Sequence, residues 1–107
     1  MKMGFFKDLF GGSDERKRGD EYATEGLIWE TGGAMGTGDK DIGRAISLYR
    51  KSCSMGSAHG CFYLAQSYKY GHGVPESKID YNKYIEKSKE LDPEVYRRLS
   101  SQLRDMD

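Results

Sequence analysis

Neither sign of charge is in surplus in this chain. Its 17 Lys and Arg residues are matched by 17 Asp and Glu, for a formal net charge of zero. A nucleic-acid binder needs a basic excess to displace counterions from phosphates, and a polybasic tether needs one to meet anionic lipid headgroups. Both classes are set aside. Long hydrophobic runs are missing as well. No stretch approaches the roughly 20 apolar residues of a membrane span. The apolar residues Phe5, Phe6, Leu9 and Phe10 are interrupted by Lys7 and Asp8, which makes the segment too short and too charged for a signal-peptide core. The expected location is cytoplasmic. Histidine is limited to His59 and His72, and cysteine to Cys53 and Cys61. The two histidines have no repeated spacing to Ser, Cys or Asp that would suggest a nucleophile–base–acid set, and no Ser-x-x-Lys motif is present. The expectation is a protein with no catalytic activity and no cofactor.

Proline is scarce, with 2 residues, while glycine is abundant, 14 of 107, against a typical share of about 7%. Glycine without proline reads as helix punctuation rather than as a disordered linker. Two Gly-x-Gly strings stand out, Gly36-Thr37-Gly38 and Gly71-His72-Gly73, 35 residues apart. Neither has the preceding strand and the following Lys-Ser/Thr of a phosphate loop. After each comes an amphipathic segment, with Ala45, Leu48, Tyr49 and Ser52 on one face in the first and Tyr81, Tyr84, Ile85 and Ser88 in the second. Lys51-Ser52 and Lys87-Ser88 match at 36 residues. Self-similarity at this period indicates a repeat architecture.

Helical periodicity places helices over about Asp20–Met35, Asp41–Met55, Ala58–Tyr70 and Ile79–Leu91. Asp92-Pro93 starts a further helix, with Asp as cap and Pro at the first helical position. Val95, Tyr96, Leu99 and Leu103 lie on one face of that helix, as a capping helix with a polar outer side requires. Residues 1–19 read as an N-terminal amphipathic segment that ends in a joint at Gly11-Gly12-Ser13. Residues 20–107 read as two repeats, about 20–56 and 57–92, plus the capping helix.

Ala58, Leu64, Ala65, Tyr68, Gly71, Gly73 and Val74 resemble the signature of the Sel-1-like repeat, a tetratricopeptide-like family, with Tyr84, Lys87, Ser88 and Leu91 where that family places its tail. The first copy is degenerate. Ala23, Trp29, Gly36, Gly38, Ala45, Tyr49 and Met55 match, while Glu30 and Gly33 replace a small residue and a tyrosine. The resemblance implies an all-α fold, a short α-solenoid of helix-turn-helix repeats, which holds a partner protein on its concave surface and catalyses nothing. Cys53 and Cys61 are similar to the pairs that staple neighbouring helices in the cysteine-rich subgroup of this family. Both are four residues from Ser57, so they face one another across a tight αα turn. A disulfide, two buried thiols and half of a metal site are the three readings of the pair. No further ligands are in reach for a complete metal site.

On the helix over 58–70, Cys61, Leu64, Ala65 and Tyr68 form the core face. His59, Tyr63, Gln66 and Tyr70 form the opposite one, which in a tetratricopeptide-type stack lines the groove. The equivalent stripe in the first repeat is Thr24, Ile28, Thr31 and Met35. The candidate partner-binding residues are therefore His59, Tyr63, Gln66, Tyr70 and Thr31. The expected function is an adaptor or scaffold that binds a protein or peptide segment. The alternative is a dedicated inhibitor or immunity-type protein that blocks one enzyme. Phe5, Phe6, Leu9 and Phe10 either cap the first repeat against Trp29 or act as a free hydrophobic arm that engages a partner or a membrane surface, with weak self-association as one outcome.

Overall fold

The fold is taken from a computed structural model, which describes the backbone of residues 2–32 and 40–106 and the side chains of residues 14–32 and 40–103. It comprises five helices and, among the described residues, no strand: α1 (Lys2–Thr31), α2 (Ile42–Ser54), α3 (Ala58–Tyr70), α4 (Lys78–Leu91) and α5 (Pro93–Met106). The all-α expectation holds. No helix among the described residues is long and apolar enough to cross a membrane.

Local chemistry sets the helix starts. A side-chain oxygen accepts an otherwise orphaned backbone N–H at each of three N-caps. Asp41 accepts from the Arg44 amide at 3.0 Å, Ser57 from Gly60 at 3.2 Å and Ser77 from Asp80 at 3.2 Å. Asp92 accepts from Glu94 and Val95 at 3.1 and 3.2 Å, and Pro93 occupies the position where a missing N–H costs nothing. Each such cap stabilises by about 1 kcal/mol. Gly71, left-handed at φ 64°, ends α3.

Each helix packs on the next along the chain, and α3 also touches α1 on one side and α5 on the other, whereas among the described residues α1 and α5 make no backbone contact of their own. The odd-numbered helices therefore share a face, with α3 as its floor. Tyr49, Cys53, Cys61, Leu64 and Tyr68 form the main core with Ala45 and Ile46, and Phe62, Ala65 and Ile85 form a second cluster toward α5. Asn82, Lys83, Glu86 and Lys89 on α4 are exposed, as their helical spacing leads one to expect.

The approach of α1 to α2 depends on the absence of a side chain. A Cβ at Gly26 would lie 2.5 Å from Tyr49 Cε1, so the ring seats directly on the α1 backbone. At the α2–α3 crossing, a Cβ on Gly60 would overlap Ser52 Oγ.

Two tertiary hydrogen bonds occur twice. Ser52 Oγ donates to the Gly19 carbonyl at 2.5 Å, and Ser88 Oγ donates to that of Ala58 at 2.9 Å. The Asp41 amide donates to the Trp29 carbonyl and the Ser77 amide to the Tyr68 carbonyl, both at 3.0 Å. In α2 and α4 the corresponding positions are 36 residues apart, as the sequence indicates. In α1 and α3 they are 39 apart, so Trp29 corresponds to Tyr68 and not to Leu64. The expected helix over 20–35 is corrected at both ends. It stops at Thr31, where Gly32 takes φ 91°, and Gly36, Gly38 and Met35 lie outside the described residues. At its other end α1 runs through Gly11-Gly12-Ser13 without a joint. A glycine in a helix costs about 1 kcal/mol, which is not enough to break a long one. Phe5, Phe6, Leu9 and Phe10 thus share one helix with Trp29. Phe10 is about 28 Å away at 1.5 Å per residue, so these residues cannot fold back onto Trp29 as a cap. Their side chains lie outside the described set.

Candidate functional site: a groove over α3

The face shared by α1, α3 and α5 carries several recesses. Between α1 and α3 lies a recess of about 370 Å³, lined by Leu27, Glu30, Phe62, Tyr63, Gln66 and Tyr70 with His72 and Leu103 at its edge. A second space of about 400 Å³ continues toward α5, past Gln66 and Tyr70 to Tyr81, Tyr96 and Arg97. A third, of about 230 Å³, is bordered by His59, Tyr63, Arg98 and Gln102. Four of the five residues expected at the binding face, His59, Tyr63, Gln66 and Tyr70, border these spaces. Thr31 lines none of the three. It is exposed, and its Oγ1 donates to the Leu27 carbonyl one turn back at 2.8 Å. Met35 lies outside the described residues.

The four differ in how free they are. Tyr70 is 66% exposed. Tyr63 is half-buried, its ring 5.5 Å from that of Tyr49 and 6.2 Å from that of Phe62. Burial pushes its phenol above the ordinary tyrosine range, and the carboxylates of Asp20 and Glu30 push it further. His59 faces α1, with Nδ1 3.5 Å from Asp20 Oδ1. The same carboxylate oxygen accepts from Ser57 Oγ at 2.5 Å. Gln66 has its Oε1 buried with no hydrogen-bond donor.

Among the groove residues that sequence reasoning misses are Leu27, Phe62 and Glu30. Glu30 is the most consequential. It projects from the last turn of α1, where its Oε1 accepts from Tyr49 Oη at 2.7 Å and its Oε2 lies 3.8 Å from His72 Nδ1. The Tyr49 phenol is fully buried. Burial holds it protonated far above the ordinary range, reinforced by the hydrogen bond to Glu30 and by that carboxylate's charge. No sequence signal marks it, because in the observed register the small position of the repeat signature falls on Gly26 and not on Glu30.

Beneath the groove, Cys53 near the end of α2 and Cys61 in the first turn of α3 lie at disulfide distance, with Cα atoms 4.5 Å apart. Both are buried. Of the three readings of this pair, the geometry is that of a disulfide. Among the described residues there is no group of three or more His, Cys, Asp or Glu side chains that could hold a metal ion. Comparison with protein-family models, curated proteins and solved structures finds no match to this chain.

Proposed function

We propose that this chain is a non-catalytic interaction module of the Sel-1-like repeat type, a short α-solenoid that binds a segment of another protein in the groove over α3. Two observations support the repeat reading: the paired hydrogen bonds from Ser52 and Ser88, and the paired bonds from Asp41 and Ser77. The observation that carries the functional reading is the run of spaces along one face of α3, bordered by His59, Tyr63, Gln66 and Tyr70. The core is complete without Tyr70, so its exposed ring is available for contact, and tyrosines of this kind are common anchors at interfaces. Zero net charge favours a protein partner over nucleic acid.

The test is capture of partners from the native host with the intact chain and with Tyr70→Ala. The expected result is a captured protein that the variant binds about tenfold more weakly, with helicity unchanged by circular dichroism. Equal capture by both forms would move the binding surface elsewhere. A captured enzyme that loses its activity in the complex would favour the inhibitor reading over the adaptor. The compartment is proposed on the chemistry of the cysteines. In a reducing cytoplasm Cys53 and Cys61 stay as thiols, whereas an oxidised pair belongs to an oxidising compartment. Alkylating the thiols at the moment of cell lysis distinguishes the two.

A further inference from the structure

We infer that the recess between α1 and α3 is a receptor for one cationic side chain, a lysine or an arginine, presented by the partner segment. This rests on the groove reading above and adds the chemistry of its central contact.

The inference starts from Glu30. One of its oxygens is fixed by the buried phenol of Tyr49 at 2.7 Å, so the carboxylate has a defined orientation. The other lies 3.8 Å from His72 Nδ1, too far for a hydrogen bond, and the side chain is 31% exposed. Glu30 thus offers an oriented anionic acceptor to the recess. Gln66 lines the same space, with its Oε1 buried beneath the surface. Beside them stand the rings of Tyr63 and Tyr70, aromatic surfaces that attract a cation, over the buried Phe62. Among the described residues no lysine or arginine lines this recess. Arg44 lies over the Trp29 ring, and Lys69 lies near the rings of Tyr70 and Tyr81 without lining the recess, so an incoming cation would share Tyr70 with it.

Other occupants fit less well. An apolar side chain would take water from Glu30 and return no hydrogen bond, and burying a charge without a partner is costly. An anion would be repelled. A guanidinium or ammonium on a flexible apolar stem pairs with the Glu30 carboxylate and packs its methylenes against the rings. A volume of about 370 Å³ accommodates such a side chain.

The test is an NMR titration of the isotope-labelled full chain with three blocked tripeptides: Gly-Arg-Gly, its neutral isostere Gly-citrulline-Gly, and Gly-Glu-Gly. The arginine peptide is expected to shift the amide signals of Tyr63, Gln66 and Tyr70 saturably, and the citrulline and glutamate peptides to bind at least about tenfold more weakly. Glu30→Gln should reduce the arginine peptide to the citrulline level. This variant keeps an acceptor for the Tyr49 phenol, and an unchanged spectrum outside the recess would verify its fold. Tyr70→Ala, at an exposed position, is the second variant and should also weaken the arginine peptide. Equal binding of arginine and citrulline peptides at these residues would overturn the cationic receptor and leave the groove standing. An arginine peptide that shifts no signal in the recess would overturn the receptor as well, while the partner capture above tests the groove separately.

Discussion

The α1/α2 pair and the α3/α4 pair are closed by the same two hydrogen bonds, yet they fill the space between their helices in different ways. With α1 and α3 aligned at 39 residues and α2 and α4 at 36, Gly26 corresponds to Ala65 and Tyr49 to Ile85. In the first pair a glycine admits a tyrosine ring against the backbone. In the second, alanine and isoleucine share the contact, packed with Phe62. Volume moves from one partner to the other. The swap also has a polar consequence. Tyr49 is long enough to carry a phenol across the interface to Glu30, whereas Ile85 reaches nothing polar. The second pair closes as plain apolar packing, and the first orients a carboxylate toward the groove.

Truncation should separate the pairs most clearly. Tyr49→Ala is expected to cost about 4 kcal/mol, because it leaves a large cavity and strands Glu30, and Ile85→Ala about 3 kcal/mol. Urea denaturation measures both. Equal costs would mean that the phenol adds nothing beyond its bulk. Gly26→Ala comes next, at about 2 kcal/mol for a Cβ forced against the ring. Adding Tyr49→Ile to Gly26→Ala gives the first pair the filling of the second and should recover part of that loss. A double-mutant cycle reads the coupling, and strictly additive effects would refute complementary filling.

The smallest expected effect is alkaline. Tyr49 and Tyr63 have folded-state pKa values raised above the ordinary 10.0. Above pH 10 the unfolded chain gives up these phenolic protons and the folded one retains them. The stability they provide is complete below pH 10 and is lost as pH rises, by at most about 1.4 kcal/mol per pH unit for each group. Tyr49→Phe should make this decline shallower in denaturant melts followed across alkaline pH. An unchanged slope would show that Tyr49 does not contribute.

The sequence by itself determined the starts of α2, α3, α4 and α5, because capping is a matter of neighbouring residues. Asp41, Ser57, Ser77 and Asp92-Pro93 act within three or four positions of themselves. It also determined the core faces of α3 and α4, since their periodicity is written in apolar residues, and the placement of Cys53 opposite Cys61 about a tight turn. Where α1 ends, and its register on α2, were decided by tertiary structure. Gly19, Ala23 and Gly26 carry no hydrophobic signal, and their contribution is a lack of volume that acquires meaning only when Tyr49 and Ser52 come against it. Phe62, next to the core face in sequence, is drawn to Ile85 and Tyr96 by the docking of α5. Glu30 departs from the repeat pattern only in a register the fold does not adopt, and its role appears when a phenol arrives from another helix to hold it. Short-range chemistry can be read along the chain, but the value of a small residue or a single charge depends on what the fold brings to it.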